Sequence, residues 1–172
     1  MQLSFARQLR IDTCKFIGDC GYDVWSDTHK EIFRPVLLWY GNVKRMTTKG
    51  KYFLDNTKEF FDQYKKRYDI FLLGDLRFKQ FEYDELDWCL SLGPVVHISK
   101  YRMVPDKEPG EDSYGEKCKE FDSPPNELEA KNDPIIKARS NYQVVWEDSS
   151  GDVNKLIPHV TKFVDWLVLN KY

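Results

Sequence analysis

The chain has 172 residues, room for one domain at roughly 100–200 residues each, and its 41% hydrophobic and 15% aromatic content can fill a continuous core. Its 26 Lys and Arg nearly cancel 28 Asp and Glu; the net charge of −2 excludes a global field that would draw it to a phosphate polymer or an anionic membrane. Nucleic acid is therefore not an expected partner. Apolar runs such as residues 36–40 fall far short of the ~20 residues of a membrane span. Arg7, Arg10, Asp12 and Lys15 interrupt the N-terminal region where a signal peptide would keep an apolar stretch, so a cytoplasmic protein is expected. Cys14, Cys20, Cys89 and Cys118 lack paired short spacings and His partners, so free thiols are expected and no metal site is assigned.

In chain order, Ser4 is placed to cap a helix over residues 5–17, with Gly18 or Gly21 to end it. A second helix is expected over residues 31–44, with Phe33, Val36, Leu37 and Tyr40 as its buried stripe and Pro35 setting its regular onset near Arg34. Phe53, Thr57, Phe60, Phe61 and Tyr64 mark a third over 52–66. The apolar run at 69–73, closed by Gly74, predicts a strand buried on both faces. A helix over 81–92, a buried strand over 95–99, a strand over 142–146, a turn at 148–151 and a helix over 152–169 with a kink at Pro158 complete the pattern. Five of eight prolines fall in 104–134, which marks a flexible lid or loop. Buried strands alternating with helices predict a single α/β domain, a mostly parallel sheet in three layers.

In such a sheet ligands bind beyond the carboxyl ends of the strands. Asp75 and Arg77 follow the first buried strand, and Lys100 and Arg102 follow the second. Arg34 and Arg45 are three helical turns apart and share a face; with Arg10 they can form an anion pocket, because guanidinium forks match phosphate oxygens. The other assignment is a solvated face whose arginines pair with Glu31, Asp55 or Glu59. His29, His97 and His159 are dispersed, and His97 in an apolar strand fits a satisfied core group better than a base. No G-x-S-x-G elbow and no Cys/His spacing supports nucleophilic hydrolysis, so no catalytic residue is assigned. The aromatics interleaved with bases over 51–67 follow helical spacing and belong to a core rather than a nucleic-acid surface.

Leu3-Ser4-Phe5-Ala6 with Leu9-Arg10, then Phe33-Arg34, Gly41 and Lys44-Arg45, Tyr52-Phe53, and 68–70 leading to Asp75-Leu76-Arg77-Phe78, resemble in order and spacing the phage deoxynucleoside monophosphate kinases. The phosphomevalonate kinases of animals show a similar order. The likeness covers about residues 3–102 and, more weakly, 140–168. It implies a P-loop-kinase-like fold in which Arg10, Arg34 and Arg45 face a monophosphate, Asp75 and Arg77 match the family's Asp-x-Arg, and Arg102 begins a basic lid. Family members place a strand, a Gly-rich loop and a helix ahead of Leu-Ser-Phe-Ala, whereas here that segment begins at Leu3. Gly50-Lys51 is no substitute, because Tyr52 stands where a hydroxyl must reach magnesium. The sheet is then expected to lack its central strand, and strands 69–74 and 95–99 are expected to pair directly unless a partner chain inserts one.

The expected function is therefore a catalytically degenerate, phage-encoded relative of these kinases that acts by binding a nucleoside monophosphate or a host protein it inhibits. No cofactor is expected and a homodimer is left open. The alternative is an active deoxynucleoside monophosphate kinase using ATP and Mg, with its P-loop upstream or on another chain. A purely structural or scaffold role is the third class.

Overall fold

A computed structural model describes residues 1–18, 23, 25, 26, 29–105, 117–124, 126–148 and 153–172. Cys20, Gly21, residues 106–116 of the expected lid and most of the expected turn at 148–151 lie outside them. The chain is mixed α/β, with six α-helices and two small sheets among the described residues. It divides into two compact units, Met1–Trp88 and Cys89–Tyr172.

The first unit holds β1 (Gln2–Leu3), α1 (Ala6–Ile17), α2 (Lys30–Thr48), α3 (Lys51–Tyr64), β2 (Leu72–Leu73) and the start of α4 (Glu85–Leu92). Helices α1, α2 and α3 pack on one another, and Phe5, Phe33, Phe53, Leu54, Leu86 and Trp88 are buried. Two of the expected stripes therefore point inward at Phe33 and Phe53, each driven by the apolar area it removes from water. Pro35 lies inside α2, which begins upstream of the expected onset.

The strand at 69–74 differs from expectation. Only Leu72 and Leu73 are extended in a ladder, and Ile70 and Leu72 are exposed rather than buried. Their partner is β1, in parallel register Gln2↔Leu72 and Leu3↔Leu73, with the Leu72 amide donating to Met1 O. The expected direct pairing with 95–99 is not among the described ladders: β2 pairs with β1, and β3 with β4 and β5.

The second unit carries the rest of α4, then β3 (Val96–Pro105), β4 (Lys117–Phe121), α5 (Glu127–Arg139), β5 (Tyr142–Glu147), a 3-10 turn (Val153–Leu156) and α6 (Ile157–Leu169). The sheet order is β4-β3-β5, with β4 antiparallel and β5 parallel to β3. Tyr142 packs on Phe163 and Trp166 of α6, and Tyr172 stacks on Trp166. Pro158 sits in the first turn of α6, where its missing N–H costs no helical bond, so it starts the helix rather than kinking it.

The described part of the expected loop at 104–134 contains the end of β3, all of β4 and the first eight residues of α5. Asn126 supplies the start of α5: its Oδ1 accepts from the Glu129 amide at 3.0 Å while its Nδ2 donates to Glu129 Oε1 at 2.8 Å.

Candidate functional site

At the end of β2 the backbone delivers Asp75 to the start of α1. Ser4 Oγ donates to Asp75 Oδ2 at 2.5 Å, the Ala6 amide donates to the same oxygen at 2.9 Å, and the Phe5 amide donates to Oδ1 at 3.1 Å. Ser4 therefore does not cap α1 as expected; a carboxylate from 69–71 residues away does. This satisfies two otherwise orphaned amides and opposes the positive end of the helix dipole.

Two residues of the expected anion pocket separate sharply in burial. Arg45 is 3% exposed: its Nη2 donates to both oxygens of Asp84, at 2.8 and 2.9 Å, and its Nη1 donates to Glu85 Oε1. The guanidinium also lies over the Phe78 ring, 3.8 Å from its centroid. Asp84 additionally accepts from the amides of Gln80, Phe81 and Glu85, and Glu85 accepts from the Arg77 amide at 3.3 Å. Asp87 Oδ2 in turn accepts from the Asp84 amide, closing a capping pair at the start of α4. Arg34 instead forks onto Glu31 one turn away, with both side chains substantially exposed.

These pairs differ in energy as in burial. An exposed i,i+3 pair is worth roughly 0–1 kcal/mol, so the Arg34 guanidinium can leave Glu31 at little cost. Removing one member of a buried pair costs about 3–5 kcal/mol. Arg45 is committed to the interior by these two carboxylates.

One positive charge faces two buried carboxylates. Asp84 takes the larger share of donors. Burial pushes the Glu85 carboxyl up to about 8, with the charge of Asp84 adding to the rise and Arg45 opposing it. The cluster thus approaches neutrality by holding a proton on Glu85.

Arg10, on α1, lies with its guanidinium 5.5 Å from the Trp25 ring centroid. Arg77 has an exposed side chain, and its backbone is held by Glu85. Arg102 belongs to the other unit. It and Lys100 lie within β3 rather than beyond it: Arg102 pairs with its cross-strand neighbour Glu120, and Lys100 lies 2.7 Å from Asp148 and 3.5 Å from Asp122.

A second polar cluster joins the three helices of the first unit. Asp12 accepts from Gln8 Nε2 at 2.7 Å, from Tyr52 OH at 2.6 Å and from Tyr40 OH at 3.3 Å. Donation to Asp12 pushes the Tyr52 phenol up to about 12. Lys44 Nζ lies over the rings of both tyrosines. In the second unit, buried His97 contacts Asp133 Oδ1 at 3.0 Å and Ser99 Oγ at 3.3 Å, the satisfied core histidine that was expected.

Asp84 and Glu85 were not singled out from sequence. Asp84-x-x-Asp87, spanning Leu86 and followed by Trp88, is a readable helix start, but nothing local names Arg45 as its partner. Comparison of the chain with family models, with curated proteins and with solved structures gave no match. No helix among the described residues is long and apolar enough to cross a membrane.

Proposed function

We propose that this chain is a relative of nucleoside monophosphate kinases, with a P-loop-kinase-like layered ancestry, that binds a phosphorylated nucleoside in the host cytoplasm without transferring phosphate by itself. The observation that carries this reading is the clasp between Asp75 and residues 4–6. The two segments that bear the family resemblance, far apart in sequence, interlock at one strand end. Arg10, Arg34 and Arg77 then supply the monophosphate contacts, and Arg45 and Asp75 hold the frame that presents them.

Gly50-Lys51, the one Gly-Lys step near a helix start, does not fit the phosphates of ATP. The Gly50 amide donates to Arg45 O at 2.8 Å, and the space on its Cβ side is filled by Asp84 and Phe81. A carboxylate at that spot repels a triphosphate. No step through ATP or magnesium is assigned to these residues.

Thermal unfolding with each deoxynucleoside monophosphate tests the assignment. A ligand at about 100 times its Kd adds about 2.7 kcal/mol of stability, a shift of several degrees. One monophosphate is expected to raise Tm, with the rise lost in Arg10→Ala and Arg34→Ala. If no monophosphate raises Tm, the nucleotide assignment falls, and capture of a host protein would then favour an inhibitor. ATP consumption with a monophosphate by the purified chain would replace it with the kinase alternative.

A further inference from the structure

Helix α2 has two apolar faces, and only one is used inside the first unit. Phe33 is buried, whereas Ile32, Trp39 and Met46 are 56%, 58% and 54% exposed, and Pro35 and Val43 are exposed beside them. At about 100° per residue these five side chains fall within about 40° of the direction of Trp39. A stripe of this kind is costly to leave in water and marks a contact surface.

The spacing of the stripe fits a second copy of the chain. Ile32, Pro35, Val43 and Met46 lie seven and four residues before Trp39 and four and seven after it. The stripe thus reads the same in both directions, which is the self-complementarity that a two-fold contact requires. We propose that α2 pairs antiparallel with α2 of a second copy of this chain, with Trp39 on the axis, Ile32 against Met46 of the partner subunit and Pro35 against Val43 of the partner subunit.

Charge selects the direction. Glu31, in the first turn of α2, and Lys49, the left-handed residue that caps its C-terminus, are exposed at opposite ends of the helix. Antiparallel pairing sets Glu31 beside Lys49 of the partner subunit at both ends. Parallel pairing puts each charge level with its own copy on the opposite flank and makes no opposite-charge pair. The exposed side chains of the stripe offer roughly 500 Å² per protomer, or about 1,000 Å² for the pair, which reaches the threshold for a specific interface.

Sedimentation velocity of the full chain over a micromolar concentration series reads the association. A reversible dimer is expected. Trp39→Glu, a substitution at an exposed site, should weaken it at least about 30-fold, the size of a central aromatic hot spot, with far-UV dichroism unchanged. Glu31→Lys and Lys49→Glu should each weaken it a few-fold, and the double exchange should restore it. Both Glu31→Lys and the double exchange lose the internal pair with Arg34, so recovery reads the contact between copies. A chain that stays monomeric throughout, or a dimer indifferent to Trp39→Glu, overturns the proposal. So does a double exchange that fails to recover.

Discussion

Replacing Glu85 with Gln isolates the proton held in the buried cluster. Arg45 carries one positive charge against Asp84 and Glu85, and Glu85 titrates near 8 in the folded chain against an ordinary 4.5. Between those values the native state retains a proton that the unfolded chain has released. The group therefore contributes its full stability below about pH 4.5 and loses it as pH rises towards about 8. The slope is about 1.4 kcal/mol per pH unit for one proton, so moving from about pH 5.5 to about pH 7.5 costs about 2–3 kcal/mol. Glu85→Gln keeps the shape of the neutral side chain and removes the titration. Urea unfolding across this range should show the wild type losing stability relative to the variant by that amount, with every other titrating group cancelling in the difference. Parallel curves for the two proteins, or a variant that loses stability faster as pH rises, would refute the assignment of the proton to Glu85.

Three further outcomes follow from the same frame. Arg45→Met leaves the Asp84 carboxylate and the Glu85 carboxyl buried without their cation and should cost about 3–5 kcal/mol at neutral pH, whereas Arg34→Met, at an exposed pair, should cost under about 1 kcal/mol; urea midpoints distinguish them. Asp75→Ala removes the acceptor of two amides at the start of α1 and should cost about 1–3 kcal/mol, with faster hydrogen exchange at Phe5 and Ala6. Gly50→Ala places a Cβ 2.9 Å from both Asp84 Oδ1 and Phe81 Cδ2 at a backbone φ of +79°, and should lower stability by more than about 1 kcal/mol in thermal unfolding.

Helices α2 and α3 were legible because apolar side chains repeat at helical spacing over three turns or more; α1 was read the same way, although Thr13 is its buried residue and Phe16 is exposed. Their ends were less so: α2 runs past both expected limits, since Pro35 is tolerated once the surrounding turns are packed. β1 could not be read, because two residues carry no period and its pairing depends on residues seventy positions away. Helix α5 hides behind Pro124, Pro125 and Pro134 and buries Asn132 with Ile136, a polar interior that apolar patterning does not flag. In the candidate site the arginines were identifiable by type, but not which one faces inward. Arg34 and Arg45 share a helix face, and the difference between them is set by Asp84 and Glu85, whose approach is a property of the folded chain.

The clasp at Asp75 and the cation at Arg45 also dictate an order of events on the ribosome. Every group that closes the first unit, Leu72 and Leu73 for β1, Asp75 for α1, Asp84 and Glu85 for α2, is translated after the helices it serves. A nascent chain that has emerged only through Tyr64 exposes a desolvation-prone guanidinium, an uncapped helix and an unpaired strand. The unit becomes whole only when its last fifteen or so residues clear the exit tunnel, and a stall before that point leaves a substrate for chaperones rather than a folded half.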